Sequence, residues 1–487
     1  MSSLIVAKFG GTSMATGHSF RLVAERIRRN KDMRLIVVSA PGKINNLNDP
    51  SHVLSRDTAK VTDALLGIVA KSKSGQPLEK NIYELGNRYG AIEDELRIPD
   101  EKRVSQTVDR LIRSRLARCN HRNPDAPVAA LGEELNARLL ANYLHSIGIC
   151  ADYLDPIDAG ILVSGYHGVQ YVRPDHYETI ASRVRAVLTG ERRLVVPGFF
   201  GYDEYGDIKT FQRGGSDYTG SVLAAALHAS LYQNFIDLDG IHAVEPSIDP
   251  NAPTVRGMTH RELTELTLGG AFGVFQYDAV VPLAVNGIPV QVLSTFEDDS
   301  VGTHIVSKVG SHNKQIAGIV HRGEFVAFEI VNFGIANEVG SFVGILDLFG
   351  KLEISIEHAP SSTNDISIIV RKSSLEKAGL TTDEIIRKIT AEFSPFSISA
   401  HELSAVAIIG EGINKVPGFG RRVFTAVESE GVTIQYHSYA GISFILWLKN
   451  GDAAKALSSG QKSDDNICQH NADKVARAVY REFFSKN

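Results

Sequence analysis

The sequence predicts an α/β chain: a parallel-rich sheet with helices on both sides over residues 1–300, then two similar α+β units. Three observations carry this. Short apolar runs alternate with helical patterns in the first part, the order that builds a parallel sheet. Those runs are apolar throughout, as strands buried on both faces are. Beyond residue 300 a unit of about 80 residues recurs, an internal repeat.

LIVAKF (4–9) and RLIVVSA (34–40) read as strands, each followed by glycine or proline. Between them, Phe20, Val23, Ala24 and Ile27 stand at helical spacing. Further strands are expected at APVAAL (126–131), CADYLD (150–155), RRLVVPGFFG (192–201), YQNFIDLDGI (232–241) and GIPVQVL (287–293). Helices are expected at ELNARLLANYLHSI and DYTGSVLAAALHAS. The basic stretch from Arg110 to Arg122 reads as a solvated helix face. The polar stretch TFEDDSVGTHIVSKVGSHNKQ sets a boundary near residue 300. Two units follow, beginning FVAFEIV and AVAIIGE, each running strand, glycine-containing loop, helix, strand, turn, strand. Asn337, Val339 and Gly340 precede the helix of the first; Val416, Pro417 and Gly418 precede that of the second. A polar linker and a final helix close the sequence.

At roughly 150 residues per domain, 487 residues suggest three domains. Apolar residues make up 43% and charged residues 22%, ordinary globular usage with ample material for cores. A net charge of −5 carries no basic excess for nucleic acid or an anionic membrane. No apolar stretch approaches the roughly 20 residues that cross a bilayer, and no basic segment precedes the first apolar run as in a secretory leader. Cys119, Cys150 and Cys468 are dispersed and match no metal spacing. A cytoplasmic, reduced protein is expected.

Two glycine turns carry the chemistry. In VAKFGGTSM a strand ends at Lys8 and Phe9 and runs into Gly10, Gly11, Thr12 and Ser13. Backbone N–H groups at such a turn, with a helix beyond it, can cradle phosphate. A lysine beside them can stabilise charge on a transferring phosphoryl group. The lysine precedes the glycines, so this is not a Walker A loop. In TFQRGGSDYTG, Arg213, Gly214 and Gly215 lead into Ser216, Asp217 and a helix of small residues. Ser216 or Asp217 could simply cap that helix. Two such turns would gather at the carboxyl edge of the strands, where ligands bind.

KFGGTSM, LGEELNARLL, GFFGYDEYGDIKTFQRGGSDYTGSVLAAAL and the tandem C-terminal repeat together resemble the aspartokinases, in order and spacing from residue 4 to residue 450. SAPGK…KVTDALL and THRELTEL…GVFQYDA are most similar to a two-repeat bacterial branch. The resemblance implies a three-layer α/β/α sandwich, the amino-acid kinase fold, followed by two βαββαβ ACT domains. It implies domains at 1–300, 322–400 and 401–487, with a strand expected from 301–321 completing the last. It implies transfer of phosphate from ATP to L-aspartate, giving 4-phospho-L-aspartate, with Mg²⁺ accompanying the nucleotide. Lys8 would stabilise the transition state and Asp217 would orient it; Gly10, Gly11, Ser13, Gly214 and Gly215 would hold phosphate. Glu133 would meet the substrate amino group; Thr62, Arg213 and Ser216 would complete the acceptor site. Asp237, Gly240, His242 and Pro246 would lie on the nucleotide side. A homodimer through residues 322–450 and an amino-acid effector, lysine or threonine, are further implications.

The nucleotide side departs from the family. FIDLDGIHAVEPS (235–247) stands where many members have WTDVDGIYTTDPR, so Ser247 replaces an arginine. Gly273 and Gln276 replace a lysine and a histidine farther on. VSGYHGVQYVRPDHYETI contains no clean match to the arginine that meets the substrate α-carboxylate. His242 could pack or stack on adenine, and His358 could be structural or effector-linked. Three readings remain open on the sequence: an aspartate kinase, a kinase for another small carboxylate, and an inactive ACT-type sensor.

Overall fold

A computed structural model describes residues 3–45, 59–120, 123–166, 169–268, 275–308, 316–333, 335, 340–449 and 465–484. Asn337, Val339 and Gly273 lie outside them. The chain forms two compact units, one from 1–241, 254–267 and 273–313, the other from 242–253, 268–272 and 314–487.

The first unit holds twelve described strands: β1 (Ile5–Phe9), β2 (Met33–Val38), β3 (Ala151–Tyr153), β4 (Val163–Tyr166), β5 (Val169–Val172), β6 (Arg193–Pro197), β7 (Phe200–Tyr202), β8 (Ile208–Thr210), β9 (Leu231–Ile236), β10 (Gly257–Thr259), β11 (Val290–Ser294) and β12 (Thr303–Val306). Eight make one sheet in the order β10-β12-β11-β9-β1-β2-β6-β3, and β4–β5 and β7–β8 are separate hairpins. Within the large sheet only the β11–β12 pairing is antiparallel. β1 sits inside the sheet, flanked by β2 and β9.

Strand alternation fixes what β1 presents to each side. Ile5, Ala7 and Phe9 join a core with Phe20, Val23, Ala24 and Ile27 of helix α1 (Gly17–Arg29). The hydroxyl of Thr16 caps that helix by accepting from Ser19 N, in a reciprocal capping box. Helices α2 (Val61–Lys73), α3 (Glu79–Leu96), α4 (Val108–Leu116), α5 (Ala126–Ala129) and α6 (Leu131–Ser146) contribute to the same core. The opposite face of β1 carries Val6 and Lys8 and meets α8 (Gly215–Leu227), which packs between α7 (Tyr177–Val187) and α10 (Tyr277–Val285); α9 (His260–Leu268) follows β10. The result is three layers, helix on sheet on helix.

Two expectations are corrected. APVAAL forms α5 and the start of α6 rather than a strand. Pro127 lies in the first turn of α5, where a missing N–H costs nothing. The Arg110–Arg122 stretch is not uniformly solvated: Arg115 is buried and pairs with Glu134 at 2.6 Å.

The second unit is built on one antiparallel sheet: β13 (Gly318–Val331), β14 (Ile356–His358), β15 (Asp365–Arg371), β16 (Ser397–Ile409), β17 (Ile434–Ala440) and β18 (Ser443–Lys449), in the order β14-β15-β13-β16-β18-β17. Along the chain it is two successive β-α-β-β-α runs. The first places α11 (Ser341–Lys351) after β13, and α12 (Lys372–Lys377) and α13 (Thr382–Phe393) after β15. The second places α14 (Phe419–Ser429) after β16 and the helix Asp465–Phe484 after β18. Val326, Phe328 and Ile330 pack with Ile345, Phe349, Ile385 and Ile389 on one face. Phe325, Ala327, Ile369, Leu403 and Trp447 form a second cluster from the alternate positions.

The sheet curls strongly. The hydroxyls of Ser367 on β15 and Tyr436 on β17 are 2.9 Å apart, and the His358 ring stacks on Trp447 with centroids at 6.0 Å. Each pair spans four strand steps, which would separate them by about 19 Å in a flat sheet. Segment 242–253 belongs to this unit: Ala243 O accepts from Ile319 N at 2.8 Å, and Ile248 O from Arg477 Nε at 3.2 Å.

Candidate active site

The two glycine turns meet at the carboxyl edge of the large sheet. Lys8 on β1 and Asn234 on β9 are register partners, so both side chains point toward α8. Lys8 Nζ lies 2.8 Å from Asp217 Oδ1 in the first turn of α8, and Asn234 Nδ2 donates to the same oxygen at 3.1 Å. All three are buried. The helix N-terminus adds favourable partial positive charge to the Asp217 carboxylate. Gly214 opens α8 with φ +81°, a left-handed conformation that favours glycine, and a Cβ there would strike Gln276 at 2.2 Å. No side chain caps this helix, so Ser216 and Asp217 are not there as caps. Ser216 is buried against Gly198, and Gly215 against Phe199 and Phe211.

The first turn is tied on several sides. Gly10 N–H donates to Phe235 O at 3.0 Å, so it is already committed. Gly11 O accepts from Met14 N at 3.1 Å and Gly42 N at 2.8 Å. A Cβ on Gly11 would meet Ala40 O at 3.0 Å, and one on Gly42 would meet Gly11 C at 2.6 Å. These two backbones approach closely because neither carries a side chain. Ser13 is fully buried with its hydroxyl 2.7 Å from Thr295 Oγ1, a contact that anchors the turn from beneath.

Beside this pair lies a cavity of about 400 Å³ lined by Gly11, Thr12, Lys43, Thr62, Glu133 and Asp237 among others. Glu133, near the start of α6, accepts from the Ala40 N–H, and burial pushes its carboxyl up to about 8. Among the described residues its Oε2 has no hydrogen-bond partner. Asn136, one turn on, donates to Ser39 O at 2.6 Å and ties α6 to the end of β2. Thr62 sits at the start of α2 on the same cavity.

Arg213 is exposed and lines a separate, small recess with Gly214, Gly215 and Gln276. Gly240 packs against Thr254 and Thr303, while Asp237 faces the cavity. His242 and Pro246 fall in the segment of the second unit, where His242 Nδ1 lies 2.9 Å from Ala252 O. Ser247 is exposed with its hydroxyl donating to Glu245. Sequence reasoning missed Asn234 and Asn136. For Asn234 a signal exists: the polar pair Gln233–Asn234 interrupts an otherwise apolar buried strand.

The amino acid kinase family model matches residues 3–294. The chain is 31% identical to aspartokinase 3 of Bacillus subtilis, over 99% of this chain and 98% of that protein. It is 24% identical to the lysine-sensitive aspartokinase 3 of Escherichia coli, over 96% of this chain and 100% of that one. Among solved structures, the aspartate kinase of Clostridium acetobutylicum, an allosteric enzyme, matches with a TM-score of 0.75 at 27% identity, covering 99% of this chain and 100% of that chain. Escherichia coli aspartokinase III in complex with aspartate and ADP matches in fold, with a TM-score of 0.77 at 20% identity over the same shares.

Proposed function

The chain belongs to the amino acid kinase family, and from that premise we infer that it is an aspartate kinase. It transfers the γ-phosphoryl group of ATP to the side-chain carboxylate of L-aspartate, giving 4-phospho-L-aspartate and ADP, the entry to lysine, threonine and methionine. The observation that carries this is the buried Lys8–Asp217 pair at the meeting of two glycine turns, beside a cavity that holds Glu133.

A carboxylate oxygen attacks the γ-phosphorus as the bond to the β–γ bridging oxygen breaks, and ADP leaves with the electron pair. Both reactants are anionic, so their repulsion is the obstacle. Lys8, held by Asp217, which in turn accepts from Asn234, offsets charge on the moving phosphoryl group. The backbone around Gly11 and the N-terminus of α8 at Gly214–Gly215 flank it. An aspartate side chain is already ionised at neutral pH, so no general base is needed. Glu133 would ionise on receiving the substrate ammonium, with Thr62 across the same cavity. Arg213 and Ser216 are assigned to the substrate carboxylates; Arg213 would turn inward from its exposed position.

Mg²⁺ would arrive on the nucleotide phosphates, retaining waters and needing few protein ligands. Among the described residues no cluster of three or more metal-ligating side chains exists. Asp237, which lines the cavity, is assigned to the nucleotide side. The ion would neutralise phosphate charge, which suits a site where Ser247 and Gly273 replace cations. Gly240, His242 and Pro246 are assigned to the nucleotide side with it.

We assign 1–300 to the kinase domain, and 322–400 and 401–487, with the strand from 301–321, to two ACT domains that bind an amino-acid effector, lysine or threonine, and form a homodimer. Cys119 and Cys150 are free thiols, which suits a cytoplasmic enzyme. The test is ATP-dependent acyl-phosphate formation, trapped as a hydroxamate, with L-aspartate against other amino and dicarboxylic acids. Turnover with aspartate that Lys8→Ala abolishes supports the assignment. Turnover only with another acid changes the substrate, and silence with every acid defeats the kinase reading.

A further inference from the structure

Arg88 on α3 is a half-buried cation whose two terminal nitrogens, among the described residues, serve only backbone. Its Nη1 donates to Ala59 O at 2.7 Å and its Nη2 to Gly42 O. Among the described residues no carboxylate pairs with it, and burial holds its guanidinium below the ordinary arginine value. An unpaired buried cation is costly, which raises the question of what this one achieves.

Gly42 lines the reaction cavity, and Ala59 directly precedes Lys60, which lines it too. Gly42 N donates to Gly11 O at 2.8 Å, and Val61 N donates to Pro41 O at 3.1 Å. Arg88 therefore joins the turn that touches Gly11 to the entry of the helix that carries Thr62. All described peptides are trans, and a trans peptide points its C=O and N–H in opposite directions. Fixing the Gly42 carbonyl on Arg88 thus also fixes the direction of the Lys43 N–H, at a residue lining the cavity.

The next residue acts on the other wall. Tyr89 is fully buried, and its hydroxyl donates to Gly132 O at 3.0 Å, one residue before Glu133. Gly132 is itself close-packed: a Cβ there would meet the Ala40 Cβ at 2.7 Å. Two adjacent residues of one helix therefore hold the phosphate-side turn and the Glu133 wall in a common frame.

We propose that Arg88, with Tyr89, is a positioning residue for phosphoryl transfer, setting the spacing between the Gly11–Gly42 contact and Glu133. The proposal rests on the kinase reading above, and neither residue touches the reacting atoms. A small misplacement of reacting groups costs on the order of 10²-fold in rate, so the effect is measurable.

The test combines steady-state kinetics with hydrogen exchange on the full chain. Arg88→Met should lower kcat roughly 10- to 100-fold and speed exchange at the Gly42 and Val61 amides. Arg88→Lys should recover part of both. Tyr89→Phe should raise KM for aspartate more than it lowers kcat, because it loosens the Glu133 wall. Wild-type kcat and wild-type exchange in Arg88→Met would overturn the proposal. If Arg88→Met does not fold, Arg88→Gln replaces it with the same two outcomes. If the unmodified protein phosphorylates no acid, the kinase reading fails; the exchange at Gly42 still decides whether Arg88 holds the turn.

Discussion

Asn234 Nδ2 and Lys8 Nζ converge on one oxygen, Oδ1 of Asp217, at 3.1 and 2.8 Å. A neutral donor and a cation thus share a single carboxylate oxygen, and parallel register between β1 and β9 brings them side by side. Asn234→Ala removes one hydrogen bond to a charged group, about 1.5–3 kcal/mol of stability. Chemical denaturation should read that loss, and kcat should fall while KM for ATP changes little.

The ion pair itself separates stability from catalysis. Lys8→Met leaves Asp217 buried without its cation, a cost of about 3–5 kcal/mol. Lys8→Met with Asp217→Asn removes both charges and should regain much of that stability. Activity should stay at least about 10²-fold down in both variants. A double variant as unstable as Lys8→Met would show that the pair is not the source of the cost.

Glu133 gives a pH signature. Burial raises its carboxyl from 4.5 to about 8, so the folded protein holds a proton that the unfolded chain has released across that interval. Its contribution to stability therefore declines as pH rises from about 4.5 through about 8. Glu133→Gln should gain melting temperature relative to the unmodified protein at pH 9, and not at pH 4. The charged form is the one that pairs with an ammonium, so KM for aspartate should fall between pH 7 and 9. In Glu133→Gln that pH dependence should vanish.

Gly42→Ala tests the close approach of two backbones. The added carbon would sit 2.6 Å from Gly11 C, inside any tolerable contact. Either Gly11 or the turn must move. The expected outcome is a folded protein with activity down on the order of 10²-fold, read by hydroxamate formation and circular dichroism together.

Trp447 is the chain's only tryptophan and stacks on His358. Protonated imidazole quenches indole emission. Burial lowers the His358 value below the ordinary 6.5, so quenching should set in only at pH below that figure. His358→Gln should abolish it. Lysine or threonine that bound and shifted the curled sheet would change this emission, and titration of each would read binding directly.

The large sheet, the helix bearing Phe20 and Ile27, and the meeting of the two glycine turns were legible because periodicity and turn chemistry are local. APVAAL was not: four to six apolar residues fit a strand or a buried helix equally, and Pro127 was the overlooked arbiter. Arg115 looked like one charge among many on an exposed face until Glu134 supplied a partner from another helix. Arg88 and Tyr89 were invisible for the same reason. Their roles lie in what their tips reach, Gly42, Ala59 and Gly132, and no spacing along the chain encodes that. The 242–253 segment follows closely on β9 in sequence, yet Ala243 O accepts from Ile319 N, far downstream.

The interior place of β1 has a consequence for how the protein is made. The strand bearing Lys8 ends at Phe9, but its neighbour β9 begins only at Leu231. At 5–20 residues per second, roughly ten to forty-five seconds of translation separate the two. Throughout that interval one edge of a strand that is fully buried in the finished fold stands open, the kind of edge that recruits other chains. The nascent protein therefore has a built-in need for shielding, and slower elongation before residue 231 would raise aggregation without altering the stability of the finished fold.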